Sequence, residues 1–379
     1  MSGSYRLGRL AFCLSGEGPV PTALRRELRS LADVDPGDAR LGIEFVECLP
    51  QLRESVPAGL GHAAENAFRW KHETFAYQLG KDGRGLRLLV QPKPEVLGNQ
   101  DGPERLRRFR DWDFLLPEEA VARDLLYGLF DYASQVAQVP LGQSHLCASA
   151  VERDGRAIAL VAESGVGKTA MLHLVLGNGW RYLSDDLLVV DRDGVAHRSP
   201  KRLQIYGSNV KDQPHLGRAL MRGRTLADRL QWAYRMRKHG PRKVRRRVSA
   251  KRLFGKLTCA SSARLGAVFD LVRDSRQDRI VLFETNPTEL ARPAAKVVLE
   301  KIAPYAEISE ALRGVRCCGF LPTADELERQ TESVLSRAFE HADRCFRVRI
   351  PHGATAAQLH AFLDAKLPSL LGERARSQP

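Results

Sequence analysis

The chain has 379 residues, 43 % of them hydrophobic and 27 % charged, and its 59 Lys and Arg outnumber 45 Asp and Glu for a formal net charge of +14. The length predicts two or three domains at roughly 150 residues each, and the balance is that of an ordinary soluble globular protein with ample apolar area for a core. The cationic excess favours anionic partners, whether nucleotides, acidic peptides or nucleic acid, without choosing among them. No apolar run approaches the ~18 residues of a membrane helix, so no membrane association is expected. Near the start, LAFCL (10–14) is too short for a signal core, which predicts a cytoplasmic protein. The seven cysteines show no CxxC spacing and are read as free buried thiols, Cys317 and Cys318 being neighbours.

Residues 1–140 are expected to form a smaller α+β domain. FAYQLGKDGRGLRLLV (75–90) predicts two strands around a Lys-Asp-Gly turn. A polar Pro/Gly-rich loop follows at 91–104. PEEAVARDLLYGLFDYASQVAQ (117–138) opens on Pro and two acids, and its apolar positions recur at helical spacing, from Val121 to Ala133. Residues 141–370 are expected to form an α/β domain. HLCASAV and RAIALVA predict paired strands around a turn at Glu152–Gly155. A helix is expected from Lys168 to about Leu176, with Gly179 as its stop. LLVVD, VFDLV (268–272), RIVLF (279–283) and CFRVRIP read as strands, and TAAQLHAFLDAKL as a closing helix. Within this domain, residues 217–256 form a basic insert. Its first half is an amphipathic helix candidate containing Leu226, Leu230 and Trp232, and PRKVRRR (241–247) reads as a solvated charge run.

Chemistry enters at residues 162–169, Ala-Glu-Ser-Gly-Val-Gly-Lys-Thr. Apart from Ala162, they fit a GxxxxGK[ST] phosphate-binding loop. A strand ends, the backbone of Glu163, Ser164, Gly165, Val166 and Gly167 curls round a phosphate, and a helix N-terminus faces the anion. Lys168 neutralises the β- and γ-phosphates, and the Thr169 hydroxyl is a Mg²⁺ ligand. Asp185 and Asp186 follow 17 and 18 residues after Lys168 and open the run LLVVD. Two readings stand side by side. In one, Asp191 at the end of that run is the metal-binding acid of an ordinary ATPase. In the other, the Asp185–Asp186 pair faces the γ-phosphate, one carboxylate accepting the proton of an attacking alcohol while the other helps hold the metal.

ESGVGKT followed by SDDLLVV at this interval resembles the kinase domain of HPr kinase/phosphorylase, over roughly residues 143–215. The resemblance implies an α/β P-loop domain related to that of phosphoenolpyruvate carboxykinase, with ATP and Mg²⁺ as cofactors. It implies Asp185 and Asp186 as catalytic residues, His145 as a helper in the site, and Thr169 with Asp186 at the metal. It also implies a homo-oligomer, from the ring-like assemblies of the family. The glycine-rich run that follows the acids in that family is absent, and SPKRLQIYGSNV (199–210) and the basic insert stand in its place. Relatives lacking the run resemble stand-alone kinases that phosphorylate a serine hydroxyl on a peptide.

The leading expectation is a Mg²⁺-ATP-dependent kinase acting on a hydroxyl of a peptide or small molecule, the acceptor being anionic if the insert serves it. The alternatives are a P-loop ATPase, linked to nucleic acid through the insert, and a nucleotide-binding regulator. Trp232, Tyr234 and Phe254 are too sparse for a base-stacking platform, which weighs against nucleic acid.

Overall fold

The computed structural model describes residues 2–52, 55–58, 61–97, 115–163, 166, 168–172, 179–255, 259–314 and 319–371. The chain divides into two compact units, one of residues 1–145 with 298–334, the other of residues 146–297 with 335–379.

The first unit is built on a mixed sheet of β1 (Gly3–Leu7), β2 (Leu10–Ser15), β3 (Ala32–Asp33), β4 (Leu41–Phe45), β5 (Val56–Ala58), β6 (Gly61–Ala64), β7 (Ala67–Lys71), β8 (Phe75–Lys81) and β9 (Leu86–Pro92). Their order is β3-β1-β2-β4-β9-β8-β7-β6-β5. The β8–β9 hairpin closes as its sequence predicts, because Asp82 Oδ1 accepts the backbone N–H groups of Arg84 (2.8 Å) and Gly85 (3.0 Å). The predicted helix runs Pro117–Asp124, passes through a π-helical turn at Leu125–Leu129 and continues over Phe130–Gln138. Phe12 and Phe130 meet at 5.2 Å between ring centroids. Tyr305, on the returning helix Pro287–Gly314, lies 6.2 Å from Tyr132 and 6.4 Å from Tyr77.

β10 (Gln143–Leu146) is followed in the second unit by β11 (Ala148–Arg153), β12 (Arg156–Val161), β13 (Arg181–Ser184), β14 (Leu188–Asp191), β15 (Val195–Arg198), β16 (Leu203–Tyr206), β17 (Arg245–Val248), β18 (Ser262–Arg273), β19 (Val281–Glu284) and β20 (Arg344–Ile350). The main sheet of this unit runs β14-β15-β18-β12-β11-β13, with β20 on β18 and β19 on β20. β12, β18 and β20 are parallel. β12 is buried from Ala157 onward, as a strand covered on both faces must be, and alternate residues of it join a core with Leu188, Val190, Val268, Leu290 and Phe339. The β11–β12 turn uses Asp154 (φ 53°) and Gly155 (φ 79°). Glu152, fully buried, accepts the Gly155 N–H (2.7 Å) and pairs with Arg181. Burial pushes its carboxyl up, but Arg181 and the Gly155 N–H outweigh that and hold it below the usual carboxylate range.

The basic insert departs from expectation. PRKVRRR is not a solvated run. Its last residues begin β17, which pairs antiparallel with β16, and Arg246 is only 2 % exposed. Arg246 stacks on Trp232 at 5.5 Å and donates to the Asp228 carbonyl at 3.1 Å, with the Asp228 carboxylate at 3.5 Å. Burial lowers its pKa to about 10, against the pull of Asp228. Arg247 is buried as well, while Arg242 and Lys243 remain exposed. The thiols divide likewise: Cys147 and Cys345 are buried, Cys48 is exposed, and Cys317 and Cys318 lie outside the described residues.

Candidate active site

β12 ends at Val161 and delivers the chain to the glycine loop. Ser164, Gly165 and Gly167 lie outside the described residues; Glu163, Val166, Lys168 and Thr169 are described. Lys168–Met171 is a 3₁₀ turn where an α-helix was expected, a tightening common at helix N-termini, and residues 173–178 of the expected helix lie outside the described residues. The Lys168 ammonium donates to the carbonyls of Ala162 and Glu163, the latter at 3.0 Å. Arg273, at the end of β18, donates to the Val166 carbonyl (3.2 Å) and to the carbonyls of Pro351 (2.7 Å) and Ala354 (2.8 Å). One guanidinium thereby ties the loop to the segment after β20.

Asp185 and Asp186 occupy the bend between β13 and β14, half-buried. They therefore follow a strand as well as preceding one; RYLS was not expected to be a strand. Ser184 closes the bend by donating to the Leu187 carbonyl at 2.6 Å. The hydroxyl of Ser149, on β11, lies 2.6 Å from the Asp185 carbonyl oxygen and 3.1 Å from its Oδ1.

Strand register fixes which end of the sheet each acid occupies. Ser184 pairs with Ala150, and Ser149 pairs with Leu160. The Asp185–Asp186 bend thus sits level with the C-terminal end of β12, where the loop begins, two strands away, or about 10 Å. Asp191 lies at the other end. Val190 pairs with Ala196, Val195 with Arg264, and Arg264 with Arg156, the first residue of β12. From there to Val161 is five residues, about 17 Å along the strand, with three strand spacings to cross as well. Asp191 has a structural task at its own end: its Oδ1 accepts the N–H groups of Asp193 (3.1 Å) and Val195 (2.9 Å), and His197 Nε2 is 3.5 Å from its Oδ2.

Asp270 was missed in the sequence. It pairs with Val161 across β12–β18 and is level with the loop on the side away from Asp185. Its Oδ2 accepts from Arg347 Nε at 2.9 Å, and burial pushes its carboxyl up despite that cation. The available signal was an apolar run ending in an acid, Leu265 to Asp270, obscured because further apolar residues follow.

His145 belongs to the first unit and is 1 % exposed. Its Nε2 is 3.2 Å from Ser134 Oγ, and its backbone N–H donates to Gln135 Oε1 at 2.8 Å. Gln135 in turn donates to Ser144 and Thr331. Among the described residues no cluster of three or more His, Cys, Asp or Glu side chains is placed to hold a metal. Mg²⁺ at a nucleotide takes one or two protein oxygens and completes its shell with phosphates and water. The Thr169 hydroxyl and the carboxylates of the bend are hard oxygen donors of that kind, so the residues fit the ion.

No family model matches the sequence, and no curated protein matches it. A solved structure described as the Hpr(Ser) kinase/phosphatase from Coxiella burnetii is similar at 9 % identity with a TM-score of 0.28, the likeness covering 60 % of this chain and 99 % of that one. At that TM-score nothing about the site follows from it. What this chain presents on its own residues is a mixed α/β unit in which a glycine loop and a pair of acids share one end of a sheet.

Proposed function

We propose that the second unit is an ATP- and Mg²⁺-dependent kinase that moves the γ-phosphate to an alcohol on a peptide or small molecule. The observation that carries the reading is the placement of the Asp185–Asp186 bend, with Asp185 held by Ser149, at the end of the sheet where the Lys168 loop begins. An ordinary ATPase built on Asp191 would have its acid at the opposite end.

In this reading the backbone of residues 163–167 cradles the phosphates, and Lys168 exchanges its two carbonyl partners for phosphate oxygens. Arg273 keeps the loop in place through the Val166 carbonyl. One carboxylate of the bend accepts the hydroxyl proton as the alcohol oxygen bonds to the γ-phosphorus and the bond to the β,γ-bridging oxygen breaks, releasing ADP. Thr169 and Asp186 would hold Mg²⁺, which supplies charge neutralisation at the phosphates. Ser149 is a positioning residue, acting through Asp185. His145 enters as a helper on the resemblance alone, and the homo-oligomer stands on the same footing.

The test is incubation with γ-labelled ATP and a panel of serine peptides and small alcohols, following the label. Transfer to an acceptor that Lys168→Ala abolishes, with folding intact by circular dichroism, supports the reading. Release of all label as free phosphate, undiminished by Asp185→Asn or Asp186→Asn, would overturn it.

A further inference from the structure

The helix Leu226–His239 is held from its inward face by Trp232 and Arg235, both buried, with Asp228 beside Arg246. Its outward face carries Leu226, Leu230 and Tyr234, which are 72 %, 61 % and 60 % exposed. Among the described residues only one other large hydrophobic side chain is exposed, Val272 at 38 %. A helix turns about 100° per residue, so the three fall within an arc of about 80° and run about 12 Å along the axis. Arg229 borders the stripe on one side, Lys238 borders it on the other and covers the Tyr234 ring at 5.6 Å, and Arg237 continues its line.

A soluble surface rarely concentrates large apolar side chains without a partner. The residues inside the helix do not explain the stripe, since Trp232, pointing inward against Arg246, already anchors it. We propose that this face docks an acidic amphipathic helix of another polypeptide, its apolar residues spaced at i and i+4 and its flanks carrying Glu or Asp. Charge chooses among the occupants. A second copy of the helix would bring Arg229, Arg237 and Lys238 against themselves, which like-charge repulsion disfavours. A lipid surface calls for a broad apolar face with large moment, and this stripe is one side chain wide. A narrow apolar seam bordered by cations is instead the complement of a helix with an apolar seam bordered by anions. This inference stands apart from the kinase reading.

The experiment uses the full chain and a fluorescein-labelled synthetic helix of about 20 residues, with Leu at seam positions and Glu beside them. A scrambled peptide of the same composition is the control. Anisotropy should show the patterned peptide binding at least about tenfold tighter than the scramble, with added salt weakening it. The variant Leu226→Ser/Leu230→Ser/Tyr234→Ser should lose at least about tenfold while its thermal midpoint is unchanged, since all three side chains are exposed. Leu230→Glu, a single surface change, should reproduce the loss if the triple variant proves unstable. Equal binding by the scramble or by the variants would overturn the proposal. So would stripe-dependent binding to phosphatidylserine vesicles without peptide binding, which points to a membrane, or a stripe-dependent dimer in sedimentation velocity, which points to a second copy.

Discussion

Asp185, Asp186 and Asp191 lie within seven residues of one another, yet the strand between them carries Asp191 to the opposite end of the sheet. Asparagine at 185 or 186 keeps the shape and removes the charge, and each change is expected to slow phosphotransfer by about 10² or more, the usual loss for a positioned base. Asp191→Asn should leave transfer within a few-fold, because an amide oxygen still accepts the N–H groups of Asp193 and Val195. Initial rates at saturating ATP check the ranking, and the reverse order would restore the ATPase reading. Glu152 makes a different residue-scale prediction. In the unfolded chain it ionises near pH 4.3; in the fold it stays charged to lower pH. Its stabilising share is therefore present above pH ~4.3 and disappears as pH falls through the lower folded value. Glu152→Gln should cost about 1–2 kcal/mol at neutral pH, a modest figure because Arg181 is half exposed. It should also flatten the acid limb of a plot of Tm against pH; an unchanged limb would remove Glu152 from the account.

At the scale of elements, β17 shows how a partner overrides a pattern. Arg246→Ala removes a buried cation from between Trp232 and Asp228, and should lower stability by about 1–3 kcal/mol, less than breaking a fully buried pair because the Asp228 carboxylate is partly exposed. Arg242→Ala and Lys243→Ala, on the exposed part of the same run, should stay within about 0.5 kcal/mol. Urea unfolding of the three variants checks this. The sequence could not show it, because only the folded insert brings the indole and carboxylate to Arg246. Elements with local causes were legible: the Asp82 turn with its two strands, the Asp154–Gly155 turn, and the helix from Pro117. β13 was not, since four residues between a helix stop and two acids carry no readable period. The helix Pro287–Gly314 holds Pro293 and Pro304 in its interior, residues that ordinarily argue against continuing a helix. In the candidate site, Lys168, Asp185 and Asp186 were visible from spacing. Ser149, Asp270 and Arg273 were not, because strand pairing over tens of residues brings them to the loop.

For the whole molecule, the first unit is discontinuous in sequence: its N-terminal part ends at His145, and residues 298–334 return to complete it. Tyr305 fills the space beside Tyr77 and Tyr132, and Thr331 accepts a hydrogen bond from buried Gln135. A fragment of residues 1–145 should therefore lack a cooperative thermal transition and bind ANS. Joining residues 298–334 to it through a flexible Gly/Ser linker should restore the transition, measured by near-UV circular dichroism. A sharp transition in the short fragment would show that the return segment is dispensable. The same discontinuity sets an order of assembly in the cell. A ribosome places Tyr77 in the chain roughly 230 residues ahead of Tyr305, on the order of 10–45 s at ordinary elongation rates. The part of the first unit that is born first must wait, with its aromatic core uncovered, until residues 298–334 have been made, and in that interval chaperone occupancy on the nascent chain should be highest.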